Sequence, residues 1–365
     1  MARKTYKFRL YPTKQQVEKL ETWLSLSCEL YNAGLQERRD AWKINRVSIS
    51  YESQNKQLTE IKKIRTELND VNSQVLQDAL QRIDKSFKAF FGRVKSGEKA
   101  GYPRFKSRNH FDSFSIPNTR YKVEKGRFDL SRLGKIKIKQ DREIEGVMKT
   151  ATVKRQCGKW FVCIVVEFEP LPLPKTNQKI GIDVGLKSFA ALSTGEVIGN
   201  LRYAESLQKK LRIAQRTVAR RKKGSSRRQK AVMQLKKIYQ KIYDQRNDFQ
   251  HKLSTKIVRE NDLIAVEKLN MKGLTKGMLA KQVLDASWGS FFEKLSYKAE
   301  NAGRQLIKVN PNGTSQTCLC GASVPKTLSQ RTHKCDVCGI ETDRDLMSAK
   351  VILQRAESHS VQVPT

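Results

Sequence analysis

At 365 residues with 38% hydrophobic content, the chain is long enough for two or three domains with cores of their own, which excludes a disordered tail. Its 72 Lys+Arg against 36 Asp+Glu give a formal charge of +36, a self-repulsion that a polyanion would relieve, so nucleic acid is the expected partner. No apolar run of ~18 residues and no hydrophobic signal segment follows Met1, which excludes a membrane-spanning or secreted reading, and seven cysteines, four of them from Cys318 to Cys338, point to reduced thiols and a metal site in a cytoplasmic protein.

Residues 4–11 alternate and end at Pro12, which predicts a strand followed by a breaker. Thr13 can cap a helix over 15–43, where Val17, Leu20, Trp23, Leu24, Cys28, Leu30, Tyr31 and Leu35 recur at helical spacing. Further helices are expected over 54–69 and 73–94. The last carries Leu76, Leu80, Ile83, Phe87, Phe90 and Phe91 on one side, a stripe that reads as core packing. The first strand must then pair with strands found later, and these are expected at 113–116, 122–123, 135–139, 150–155 and 160–168, with turns at Glu124-Lys-Gly126 and Cys157-Gly158. Many short strands with such turns predict a small antiparallel barrel. Pro170-Leu-Pro-Leu-Pro174 closes it as a linker, and the next domain starts at about residue 178. Helices inserted between the first and later strands of a basic barrel would make a clamp for nucleic acid.

That next domain opens on Lys179-Ile-Gly-Ile-Asp-Val-Gly-Leu-Lys187. A carboxylate inside a buried, β-branched run is costly without a cation, so Asp183 calls for a metal or a positive partner, and Gly181 and Gly185 leave room for a close approach. The chain then turns at Thr194-Gly195, giving a hairpin with an acid on its first strand, the way RNase H-like nucleases begin. Residues 203–260 read as two long helical runs joined by a Gly-Ser-Ser turn. A charge run is usually a solvated helix face, but here Arg220, Arg221, Lys222 and Lys223 adjoin the turn and positive charge dominates both sides, which predicts a nucleic-acid-facing hairpin. His251 reads as a core or phosphate-contacting residue rather than a catalytic one. Glu267 ends a buried apolar strand at 263–266, and Asp345 shares a helical face with Ala349 and Ile352. Three such carboxylates can hold two divalent ions about 3.5–4 Å apart for phosphodiester hydrolysis, and Mg2+ suits an oxygen-rich site. Cys318, Cys320, Cys335 and Cys338 read as a four-thiolate Zn2+ ribbon, although the first pair has a single intervening residue and His333 is a possible substitute ligand.

Over nearly its whole length the chain resembles the TnpB family of RNA-guided nucleases encoded by bacterial insertion sequences. The resemblance rests on Phe8-Arg-Leu-Tyr-Pro12, Tyr102-Pro-Arg-Phe-Lys-Ser107, Gly181-Ile-Asp-Val-Gly-Leu-Lys187, Asp248-Phe-Gln-His-Lys-Leu-Ser254, Thr314-Ser-Gln-Thr-Cys318 and Cys335-Asp-Val-Cys-Gly-Ile-Glu-Thr-Asp-Arg-Asp345. It implies an α/β plus α+β multidomain fold. A wedge β-barrel (1–12 and 101–172) is interrupted by a helical recognition domain (13–100), and a RuvC-like nuclease (178–314 and 340–357, with the basic hairpin at 203–260) holds a zinc-ribbon insertion (315–339) before a tail (358–365). It also implies a guide RNA from the element's end and a double-stranded DNA target cut beside a short motif; a monomer on one RNA is the expected assembly, with the oligomeric state left open by the sequence. The catalytic triad would fall on Asp183, Glu267 and Asp345, and motif reading on Tyr51, Ser73, Gln77 and Asn118. The chain departs from the family at Met347 and Ser348, where Asn-Ala is usual, and in the short first cysteine pair. A guided DNA binder with weak cleavage and a transposition protein are the alternatives; the three carboxylates favour the enzyme.

Overall fold

The opening alternation builds strand β1 (Ala2–Tyr11), which buries Tyr6, Phe8 and Leu10 and leaves Lys7 exposed on the other face. The computed structural model describes residues 1–327 and 329–360, and the chain divides into two units, Met1–Glu169 and Pro170–Thr365.

In the first unit Thr13 and Gln16 form a reciprocal capping box at the start of α1 (Lys14–Asn45), with N–H···O distances of 3.0 and 3.3 Å. Ser50 caps α2 (Tyr51–Ile64), three residues before the predicted start, and the single helix expected over 54–69 breaks at Arg65 into a 3-10 turn (Thr66–Asp70) that drops Leu68 into the core. Then come α3 (Ser73–Lys95) and strands β2 (Ser113–Pro117), β3 (Tyr121–Glu124), β4 (Arg127–Leu130), β5 (Gly134–Lys139), β6 (Val147–Gln156) and β7 (Lys159–Phe168). β4 has no counterpart among the expected strands: it is four residues long, with Phe128 and Leu130 buried. The order is β2-β6-β7-β1-β5-β4-β3, entirely antiparallel, so β1 finds its partners in β7 and β5. The expected barrel is, by its ladders, one sheet with β2 and β3 at the edges and no pairing between them. α3 docks on β2 where the Ser115 amide donates to Asp78, 2.9 Å away. Leu76, Leu80 and Ile83 enter the core as expected. Phe87 and Phe90 are only half-buried and Phe91 is 60% exposed, because the helix runs on past the elements that cover its first half.

The second unit begins with β8 (Lys179–Val184), β9 (Ser188–Leu192) and β10 (Val197–Gly199). After them come α4 (Tyr203–Ser206), α5 (Gln208–Arg220), α6 (Ser226–Glu260), β11 (Leu263–Glu267), α7 (Met271–Leu274), α8 (Ala280–Ala286), α9 (Trp288–Asn301) and β12 (Gln305–Val309). Strands β13 (Thr332–Lys334) and β14 (Glu341–Asp343) then lead into α10 (Arg344–Ser360). α10 reaches past the expected start of the tail, and residues 361–365 lie outside the described residues. The sheet order is β10-β9-β8-β11-β12, with β8, β11 and β12 parallel and β9 and β10 antiparallel. α9 and β12 had no sequence forecast, yet Trp288, Phe291, Phe292, Leu295 and Ala299 bury one face of α9. The Asp262 carboxylate fixes the start of the sheet by accepting from the Thr176 and Asn177 amides at 3.0 and 2.7 Å and from Arg304, whose other nitrogen donates to the Pro174 carbonyl at 2.7 Å. Among the described residues no helix is long and apolar enough to cross a membrane.

Candidate active site

Three elements converge on Asp183. β8 and β11 run parallel with Ile182 opposite Val266, so the next residues, Asp183 and Glu267, emerge side by side at the same strand ends. The third arrives through a glycine: a Cβ on Gly181 would lie 2.0 Å from the Ala349 carbonyl oxygen, so only glycine lets α10 lie directly on β8. Gly181 and Asp183 share a face of the strand, and Ala349 and Asp345 lie one turn apart on the helix, so this contact carries Asp345 toward Asp183. Asp343 caps α10, accepting from the Asp345 amide at 2.8 Å and the Leu346 amide at 3.3 Å, and so fixes the turn from which Asp345 projects. At the far end Lys179 pairs with Glu357 at 2.8 Å.

The electrostatics follow from this crowding. Burial, then the negative charges of Glu267 and Asp345, push the Asp183 carboxyl well above the usual carboxylate range, with Arg344 opposing. Burial also raises Glu267, against a hydrogen bond from the Thr314 hydroxyl and the nearby charge of Arg355. Asp345 is clasped by its neighbour Arg344 at 3.1 and 3.2 Å. Among the described residues no side chain donates a hydrogen bond to the Asp183 carboxylate, and Arg344 acts on it through its charge alone. Acceptor oxygens that repel one another in this way form a candidate site whose crowding a divalent cation would relieve. Thr314, Arg344 and Arg355 are site residues that sequence reasoning misses; the first two sit inside the words Thr314-Ser-Gln-Thr-Cys318 and Asp343-Arg-Asp345.

The four cysteines also come together, with sulfurs all within 4.8 Å of one another. Cys318 and Cys338 sulfurs are 3.5 Å apart and Cys320 and Cys335 3.7 Å, too far for disulfides and close to the ~3.8 Å edge of a tetrahedron with 2.3 Å Zn–S bonds. The cluster fits zinc. Amides of Cys338 and Val337 aimed at the Cys335 sulfur bring its thiol down to about 7. The short first pair is accommodated because the chain turns tightly at Gly321 (φ 88°), with the Cys318 amide bonded to Ala322 and Thr317 paired with Ser323. His333 is not one of the set: buried on β13, it meets Lys326 at 2.6 Å through Nδ1. Met347 is buried with Cys318, Cys335 and Val351, so the residue in the usual asparagine's place packs beneath the cysteines.

Arg220, Arg221, Lys222 and Lys223 are exposed at the α5–α6 turn, free of ion pairs among the described residues, while Arg228 ties the turn by donating to the Val218 and Arg221 carbonyls at 2.6 and 3.2 Å. His251 is half-buried on α6, and burial with the Lys298 and Lys294 charges lowers its pKa, favouring the neutral ring. Ser73, Gln77 and Gln81 form a stripe on α3; Ser73 accepts from Lys62 at 3.0 Å and Gln81 donates to the Tyr51 hydroxyl at 3.3 Å, which gathers Tyr51, Ser73 and Gln77 on one face. Tyr51 is partly packed against the core. Asn118 is exposed just beyond β2, three residues after the Ser115 that bonds α3.

The sequence profile of a family described as "Probable transposase" matches residues 163–278, one for a Cas12f1-like TNB domain matches 288–352, and one for a helix-turn-helix domain matches 1–46, where the structure has a strand and a single long helix. A Streptomyces pristinaespiralis protein named "Putative RNA-guided DNA endonuclease" is 35% identical over 96% of this chain and 89% of its own length. The Escherichia coli protein named "Putative RNA-guided DNA endonuclease InsQ" is 29% identical over 98% and 92%. The CRISPR-associated endodeoxyribonuclease Cas12f1 of Sulfoacidibacillus thermotolerans is 27% identical over 53% of this chain and 50% of its own. Among solved structures, the mini-RNA-guided endonuclease CRISPR-Cas_phi3 superposes with a TM-score of 0.52 at 10% identity, over 97% of this chain and 92% of that one, a likeness of mixed α/β multidomain fold.

Proposed function

The chain belongs to the TnpB family of RNA-guided DNA endonucleases, and on that premise we propose that it cuts DNA through a two-metal site at Asp183, Glu267 and Asp345. The observation that carries this reading is the crowding of Asp183 by two other carboxylates delivered from β11 and α10. The strand order β10-β9-β8-β11-β12, with an antiparallel hairpin beside parallel strands, supports an RNase H-like, RuvC-type nuclease. When bound, a Mg2+ pair supplies activation of water and stabilisation of the leaving oxygen. The residues have separate tasks. Asp183 offers an acceptor with no competing proton donor; Thr314 orients Glu267; Arg344 and the Asp343 cap hold Asp345. The four cysteines would hold one structural Zn2+ and staple the ribbon to α10 through Met347 and Val351.

A guide RNA, a double-stranded DNA target and a cytoplasmic setting complete the reading. Base pairing with the guide would select the target, and the protein would read only a short flank, for which the Tyr51, Ser73 and Gln77 face with Asn118 supplies polar groups. Backbone phosphates would meet Arg220, Arg221, Lys222 and Lys223.

The test is to purify the protein with its RNA, sequence that RNA, and assay matching plasmid DNA in Mg2+. Wild type is expected to cut it, whereas Asp183→Ala, Glu267→Ala and Asp345→Ala retain RNA and fail to cut. Full cleavage by any one of the three variants overturns the site.

A further inference from the structure

The far end of α3 is exposed and aromatic. Phe87, Phe90, Phe91 and Tyr102 form one contiguous set with ring centroids 5.2–6.2 Å apart, mostly edge-on. Phe91 is 60% and Tyr102 44% exposed, every residue over 91–99 is exposed, and Phe105, 48% exposed, carries the Arg39 guanidinium 5.3 Å above its ring. An exposed apolar cluster of this kind costs solubility unless something covers it.

Charge says what covers it. Residues 83–106 carry seven Lys+Arg and two acids. Lys85, Arg93, Lys95, Lys99 and Arg104 have no ion pair among the described residues, while Lys88 is held by Asp84 at 2.9 Å. A second protein surface would have to be acidic and apolar at once. A nucleic acid strand brings phosphates for the cations and base faces for the rings, the combination that binds unpaired nucleotides. Duplex offers few free base faces, so the strand is unpaired. Of the two nucleic acids in the proposed function, RNA accompanies the protein before any target is met and can cover the patch in the resting particle; its loops and ends hold the splayed bases that aromatic side chains take up.

We infer that Phe87, Phe90, Phe91 and Tyr102 form a stacking platform for unpaired bases of the RNA this chain carries. The inference rests on the RNA-guided reading above. It is separate from the motif-reading face, which lies at the other end of α3.

The RNA-loaded protein is irradiated with ultraviolet light, digested, and its RNA-linked peptides mapped. Links to Phe90, Phe91 or Tyr102 are expected. Links confined to other segments overturn the platform and leave the RNA-guided reading standing; a protein that carries no RNA at all defeats that reading instead. Links at these rings that appear only to added target DNA overturn the assignment to RNA. In parallel, full-length variants are titrated with a fluorescent oligoadenylate at raised salt. Phe91→Leu is expected to weaken binding roughly ten-fold and Phe91→Trp to retain it, since the surface stays apolar in both and only the stacking face differs. Equal binding by Phe91→Leu and wild type overturns the inference, as does a two-chain particle in sedimentation that Phe91→Arg reduces to one.

Discussion

Burial and the charges of Glu267 and Asp345 favour the protonated form of Asp183, so the folded chain holds a proton there at a pH where the unfolded chain has lost it. For a raised carboxyl, stability falls as pH rises from the ordinary carboxylate value through the raised one. Asp183→Asn removes that cost. In chelator at about pH 7 the variant should melt higher than wild type, by ~2–4 °C for each kcal/mol relieved, and the gap should close toward pH ~4, where both carry a neutral group. Added Mg2+ should then raise the wild-type melting temperature and leave the variant unmoved. An equal Mg2+ shift in both would remove Asp183 from the site. Asp183 and Glu267 are legible in the sequence because a charge in or at the end of an apolar strand is conspicuous, and Asp345 because helical spacing ties it to Ala349. Thr314 is not, since its partner Glu267 stands 47 residues away and only the fold joins them.

The packing of α10 on β8 is where the second unit has least slack. Gly181→Ala places a methyl group 2.0 Å from a backbone oxygen, so helix and strand must separate, with an expected loss of ~1–3 kcal/mol in thermal or denaturant unfolding. Because Asp345 travels with α10, cleavage should drop well beyond the stability loss. Gly181→Ala with wild-type cleavage would mean that the carboxylates do not depend on this packing. For the ribbon, a zinc chelator or Cys320→Ser should expose protease sites over 315–343 and release one Zn2+ per chain, detectable by metal analysis; a chain that contains no zinc as purified would refute the ribbon. Prolines and alternation mark most elements, but periodicity reports only which residues share a face. It gives no sign of where the cover over α3 stops, so it assigns Phe91 to a core that the helix has by then left behind. It passes over β4 and β12, whose few residues hold too little pattern.

Over the whole molecule, charge is the plainest signal, and its distribution is not. The +36 excess predicts a polyanionic partner, yet only the structure separates cations tied to carboxylates, such as Arg304 and Lys256, from those left unpaired at the α5–α6 turn. Replacing Arg220, Arg221, Lys222 and Lys223 by Ala should flatten the dependence of log Kd for RNA on log salt by ~0.7–0.9 for each phosphate that is no longer neutralised. An unchanged slope would make the turn a solvated surface. The seating of α10 against β8 also sets a schedule. The Lys179–Glu357 pair that fastens it joins residues 178 apart, so at ~5–20 residues per second the ribosome needs roughly ten to forty seconds to supply the helix that β8 awaits. Until then the nascent chain lacks the seated helix that brings Asp345 to the other two carboxylates. On the proposed triad, a nuclease assembled in this order stays inert while it is being made, and a message broken before the codon for Asp345 yields a product unable to cut the genome that encodes it.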